Sequence, residues 1–209
     1  MHKNNVLKTI FAVVALAFAV NVAAQTDNKS LFSAKNQDKW SYVLSNKALQ
    51  PTALFNFDNG ILKVSGGSTG YIRTKKEYKN FTLSVEWRWT KTAANSGVLI
   101  AIQRDTVWPP CFQVQQKAGA AGDIICMNGL TAKECIDTVN FTVPKLQPSN
   151  EKPVGEWNEL KIICRNGSMT VYVNRTLQNR ITEMSAKKGF IGLQAEGKPL
   201  EFRNLIIKK

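Results

Sequence analysis

The sequence predicts an all-β sandwich or barrel. Three observations lead there. Apolar and polar residues alternate from Phe81 to Trp89 (FTLSVEWRW), and again on both sides of Asn166-Gly167, in WNELKIICR and SMTVYVN. A period of two marks a strand with one buried face. Asn-Gly and Asp-Asn-Gly turns punctuate the apolar runs, as short hairpin turns require. Beyond the N-terminal segment, no stretch sustains a 3.6-residue period.

The N-terminus is of another kind. Lys3 and Lys8 precede an eleven-residue apolar run, Ile10 to Val20, and then Val22-Ala23-Ala24. That order predicts a secretory signal peptide, and the run is well short of the ~20 residues a membrane span needs. Cleavage is expected after Ala24, leaving 209 − 24 = 185 residues as one exported, soluble domain. No cysteine stands near the cleavage point, so no lipoprotein anchor is expected.

The elements follow in order. Trp40 begins a strand after a polar stretch, and Ala53 to Phe57 and Ile61 to Val64 bracket Asp58-Asn59-Gly60 as a hairpin. Tyr71 to Thr74 is a short strand. Phe81–Trp89 and Val98–Ile102, joined by a polar turn, read as a central hairpin; Glu86 and Arg88 project from its polar face about 7 Å apart. A surface ion pair is the plain alternative for those two residues. In CFQVQQ, Phe112 and Val114 share one face and Gln113 and Gln115 the other. Lys117 to Gly155 has little periodicity, which fits the rim of a site or an insertion. The Asn166-Gly167 hairpin, Gly189 to Gln194, and Leu200 to Ile207 complete about eleven strands. In a curved sandwich of this kind, Glu86, Arg88, Gln113, Gln115 and Gln194 are expected to share one surface.

Composition excludes several chemistries. The only histidine, His2, falls in the signal peptide. The mature chain therefore has no Ser–His or Cys–His pair and no His-ligated metal site. Proton transfer must use carboxylates, Lys, Tyr or water. The mature charge is 26 − 15 = +11, but the basic residues are scattered and no nucleic-acid motif accompanies them, so a solvated basic surface is expected rather than a nucleic-acid partner. Of four cysteines, Cys126 and Cys135 flank a short loop with Asn128-Gly129 and are the favoured pair; Cys164 alternates with Leu160 and Ile162 as a buried free thiol. Trp108, beside Pro109 and Pro110, is either a stacking platform at the mouth of a groove or packing under a loop.

One ordered set of motifs resembles a known family. GYIRTKKEYKNFTLSVEWRW, NSGVLIAIQ, WPPCFQVQ, GDI (Gly122 to Ile124), GEWN (Gly155 to Asn158) and IGLQAEGKPLEFRNLIIK run in sequence from about Leu31 to Lys208. Together they resemble the 3-keto-disaccharide hydrolase domain family. The resemblance implies a concanavalin-like jelly-roll β-sandwich of two antiparallel sheets. It also implies exported bacterial proteins whose oligosaccharide or glycoside substrates carry a ketone at C3. Such a ketone acidifies the C2 hydrogen, so one base, an enolate-stabilising group and an acid suffice for β-elimination followed by hydration. On that resemblance Glu86 or Asp123 is the base and Arg88 holds the enolate oxygen or orients the carboxylate. Asn95, Gln113, Gln115 and Gln194 bind sugar hydroxyls. The family often has a glutamate where this chain has Gln113, and a histidine where it has Ala195-Glu196; Glu196 is the residue placed to compensate. No cofactor is predicted, and a divalent ion held by carboxylates and sugar oxygens stays open. The other reading is a non-catalytic carbohydrate-binding module with the same groove.

Overall fold

The computed structural model describes residues 30–209; the predicted signal peptide lies outside them. Fourteen strands form two antiparallel sheets of seven, the jelly-roll sandwich expected. Sheet A runs β1 (Trp40–Leu44), β4 (Gly70–Thr74), β13 (Phe190–Ala195), β6 (Gly97–Ile102), β7 (Cys111–Gln115), β8 (Ile124–Met127) and β9 (Thr142–Val143). Sheet B runs β12 (Thr176–Ile181), β11 (Ser168–Val173), β10 (Asn158–Arg165), β5 (Phe81–Trp89), β14 (Leu200–Lys208), β3 (Ile61–Val64) and β2 (Phe55–Asp58).

The alternation seen in the sequence becomes the core. Phe81, Leu83, Val85, Trp87 and Trp89 of β5 are buried, with Leu160 and Ile162 of β10 and Val171 of β11. They pack in one cluster with Phe112, Val114, Ile191 and Leu193 from sheet A. Each such side chain is worth roughly 1.5–3 kcal/mol when fully removed from water. The Asn166-Gly167 hairpin forms with Arg165 opposite Ser168. Asn166 and Gly167 both take positive φ there (50° and 79°), the backbone that such a turn demands.

Three expectations are corrected. The largest concerns β5 and β6, which do not form a hairpin. β5 pairs with β10 and β14 in sheet B, and β6 pairs with β7 and β13 in sheet A. The polar stretch between them carries the chain from one sheet to the other, because Val98 and Ile100 bury against the second layer rather than beside Phe81–Trp89. Second, one helical turn, Pro51–Leu54, stands where strand was expected; it has proline in its first turn, where the missing N–H costs nothing. Third, the irregular stretch 117–155 supplies β8 and β9, and β12 was not foreseen. In β12 the buried positions include Gln178 and Asn179. Asn179 Nδ2 donates to the carbonyls of Gly122 (3.1 Å), Val143 (2.9 Å) and Pro144 (3.2 Å), so a polar side chain fills an interior position that hydropathy alone reads as surface.

Candidate functional site

The outer face of sheet A carries a row of hydrogen-bonding side chains. Gln115 on β7 lies opposite Gly97 on β6, and Gln194 on β13 lies opposite Tyr71 on β4. Leu193 opposite Val98 brings Gln194 beside Gly97. On the other flank, Gln115 exchanges backbone bonds with Asp123 and Gly122. Alternation thus sets Asp123, Gln115, Gln194 and Tyr71 on one face, while Phe112, Val114 and Leu193 face the core. Gln113 stands one pair further along β7.

The three glutamines are nearly buried and bond one another. Gln113 Nε2 donates to Gln194 Oε1 (2.9 Å) and, more weakly, to Gln115 Oε1 (3.3 Å). Reaching Gln194 from β7 means crossing β6, about 10 Å between the two outer strands. Gly97 makes that possible: a Cβ there would stand 2.6 Å from Gln113 Cγ and 2.7 Å from its Nε2. Its neighbours in Asn-Ser-Gly serve the same face. Ser96 Oγ donates to the Gln194 carbonyl (2.8 Å), and Asn95 Nδ2 donates to Glu196 Oε2 (2.9 Å). The Glu196 carboxylate fixes which end of the Asn95 amide faces it, leaving Asn95 Oδ1 buried with no donor. A buried acceptor left unpaired costs about 1–3 kcal/mol.

Two carboxylates flank the glutamines. Glu196 lies two residues past Gln194. Asp123 is drawn the other way, its Oδ1 accepting from the Lys145 N–H (2.8 Å) with the Lys145 ammonium at 3.8 Å. The arginine on this face is Arg73, which the sequence reading did not single out. It holds Asp105 through Nε (2.7 Å) and Nη2 (2.6 Å) and lies 4.0 Å from the Phe190 ring centroid. Its signal was present in the order Tyr71-Ile72-Arg73, where Arg73 alternates with a core residue. Burial, then the charge of Asp105, pushes the Tyr71 phenol well above its ordinary range. Trp108 sits in the following loop, 45% exposed, its carbonyl accepting from Asn128 Nδ2 and Thr106 Oγ1.

Glu86 and Arg88 are not on this face. They project from the outer side of sheet B, with the core between them and the glutamines. The expectation of one shared surface is therefore corrected, and its cause is the sheet crossing after β5. Both Glu86 oxygens are engaged: Oε2 by Arg203 Nε (2.7 Å), Oε1 by Asn204 Nδ2 (2.7 Å). Arg88 donates to Glu201 Oε2 (2.8 Å). Both guanidiniums pack on the Trp157 ring, Arg88 at 4.6 Å and Arg203 at 4.1 Å from its centroid. The EWR, GEWN and EFRN motifs thus form one interlocking ladder across β5, β14 and the start of β10. Beside it, a groove of about 570 Å³ is bordered by Ser84, Glu86, Lys161, Tyr172 and Ile206. Among the described residues no group of three or more His, Cys, Asp or Glu is gathered to hold a metal.

Fold and face together define a jelly-roll sandwich that presents a compact, amide-rich surface on one sheet. The chain belongs to the 3-keto-alpha-glucoside-1,2-lyase-like domain family, whose model matches residues 27–208. Two solved structures from Parabacteroides distasonis ATCC 8503, each provisionally described as a glycosyl hydrolase, share this fold. One is 20% identical with a TM-score of 0.59, over 82% of this chain and 99% of its own. The other is 18% identical with a TM-score of 0.63, over 85% and 91%. A carbohydrate-binding module, CBM66 from Bacillus subtilis, is 10% identical with a TM-score of 0.59, over 82% and 96%. Among curated proteins, none matches the chain.

Proposed function

We propose that the chain binds a glycoside against the amide face of sheet A and cleaves it when C3 of the sugar is a ketone. A carboxylate at one end of the row, Glu196 or Asp123, removes the C2 proton. The electron pair moves to an enolate at the C3 oxygen, then returns to expel the glycosidic oxygen from C1, which takes up a proton. Water adds to the resulting double bond, and the balance is a hydrolysis. The Gln113, Gln115 and Gln194 amides meet sugar hydroxyls and the enolate oxygen, and Trp108 offers its exposed ring at the edge. Glu86 and Arg88 are left out of this chemistry by their position on the opposite sheet.

The observation that carries the reading is the orphaned Asn95 Oδ1 beside Glu196. Once the Asn95 side chain turns toward the surface, a sugar hydroxyl donating to that oxygen removes its desolvation cost and sets the ligand against the Glu196 carboxylate. Spacing supports a single base. Asp123 and Gln194 lie three strands apart, roughly 14 Å, and Asp123 leans outward. Ordinary glycosidases need their two carboxyl groups about 5–9.5 Å apart. Export belongs to the same proposal, supported by the basic, apolar and small-residue order of residues 3–24.

A second reading has its own support. The centre of the row is uncharged, with Gln113 satisfied by its neighbours, which suits binding without turnover. One experiment separates the two. A chromogenic β-glucoside and its 3-keto counterpart are offered to the wild type, Glu196→Gln and Asp123→Asn, with and without chelator. Release from the keto compound alone, abolished in one variant, supports cleavage and names the base. Saturable binding of both compounds with no release supports the binding module. Neither binding nor release by the folded protein would remove the amide face from consideration.

A further inference from the structure

The cysteines carry an inference independent of the sugar chemistry. Residues 128–141 leave sheet A as an arm after β8, bond to residues 182–185 beyond β12 of sheet B, and return as β9, which pairs again with β8. Two cysteines meet at the root of this arm. The Phe141 carbonyl accepts from the Cys126 N–H (2.9 Å) and from the Cys135 thiol (3.4 Å). Sharing that carbonyl places the Cys135 sulfur close to the Cys126 backbone, at the end of β8. Cys126 is buried and Cys135 partly exposed.

We infer that Cys126 and Cys135 are a disulfide-forming pair that, when oxidised, staples the arm to the edge of sheet A. The other two cysteines are not competitors. Cys111 belongs to the outer face of sheet A, its thiol 3.7 Å from Met127 Sδ. Cys164 lies on the core side of sheet B, opposite Phe81 and Met169. Packed sheets stand about 10 Å apart, and a disulfide needs Cα atoms within about 7 Å. Geometry thus leaves one of the possible pairs.

The exchange proceeds in two steps with a small-molecule disulfide as oxidant. Cys135, the accessible thiol, attacks as thiolate; the oxidant's S–S bond breaks, a mixed disulfide forms on Cys135, and one small thiol leaves. Cys126 then loses its proton and attacks the Cys135 sulfur, expelling the second small thiol. Two protein thiols become one disulfide while one small disulfide becomes two thiols. Burial raises the Cys126 thiol above its ordinary range, so the second step waits on the loss of that proton. The arm leads to Lys145, whose N–H and ammonium hold Asp123; the staple therefore steadies that flank of the amide face.

Reduced, folded protein treated with oxidised glutathione tests this directly. The expected product has two free thiols in place of four, is lighter by two hydrogens, and yields one cross-linked peptide joining residues 126 and 135. In Cys126→Ser the resolving thiol is gone, so Cys135 should accumulate a stable glutathionyl adduct. In Cys135→Ser no bridge should form. Persistence of four free thiols in the oxidised native protein, or a bridge reaching Cys111 or Cys164, would overturn the inference. The arm gives a second readout: proteolytic cleavage within 128–141 should slow several-fold on oxidation and be unchanged in Cys135→Ser.

Discussion

Gly97 owes its identity to another residue's side chain. Gln113 lies across it to reach Gln194, and a methyl group there would sit 2.6 Å from Gln113 Cγ. Gly97→Ala should push Gln113 aside, break its bond to Gln194 and cost about 1–3 kcal/mol by overpacking. Sugar binding should fall with it, measured by titration alongside urea unfolding. Glu86 makes the opposite forecast. Its oxygens are shared between Arg203 and Asn204 at a partly exposed site. Glu86→Gln should cost about 1–2 kcal/mol of stability, solvent screening included, and leave sugar binding unchanged. A Glu86→Gln protein of full stability that no longer binds sugar would return Glu86 to the functional face.

At the scale of elements, the arm between β8 and β9 is held by acids. The Glu134 carboxylate loses some of its solvation, but the Thr182 hydroxyl (2.7 Å) and N–H (2.6 Å) outweigh that and keep it below its usual range. Asp137 is held low by the N–H groups of Asn140 and Val139. A carboxylate whose folded value is depressed contributes stability above its unfolded value, near pH 4, and loses it as pH falls through the folded one. Pepsin cleavage should therefore open first between 128 and 141 as pH drops below about 4, while sheets A and B still resist. Uniform resistance at pH 3 would show the arm is held by other means.

The same elements show what the sequence could and could not disclose. Strict alternation exposed β5, β10 and β11, because one face of each is apolar apart from Asn158 at the start of β10. It also set Gln113 and Gln115 together on the outer face of β7. Alternation reports which face a residue takes, however, and not which sheet its strand joins. Glu86 and Gln113 are both outward, yet they look away from each other. β12 stayed hidden because Asn179 is interior and polar, and Arg73 was missed because its partner, Asp105, comes from a loop 32 residues away.

Across the whole molecule, strands adjacent in space are remote in sequence. β5 lies between β10 and β14, and β4 between β1 and β13. Such non-local pairing has to close long loops before contacts form, so refolding is expected in milliseconds to seconds, read by tryptophan fluorescence. β14 is the last strand and sits inside sheet B, not at its edge. Ending the chain at Pro199 should prevent folding altogether, since it removes the partner of both β5 and β3 and buried Leu200, Phe202 and Leu205. The placement of the Glu86–Arg203–Trp157–Arg88 ladder on one sheet and the glutamine row on the other has an evolutionary corollary. Substitutions separated by the full thickness of a core are expected to act additively. On the proposed function, the amide face can then drift toward new sugars, or lose turnover while keeping affinity, without drawing on the interactions that keep the scaffold folded.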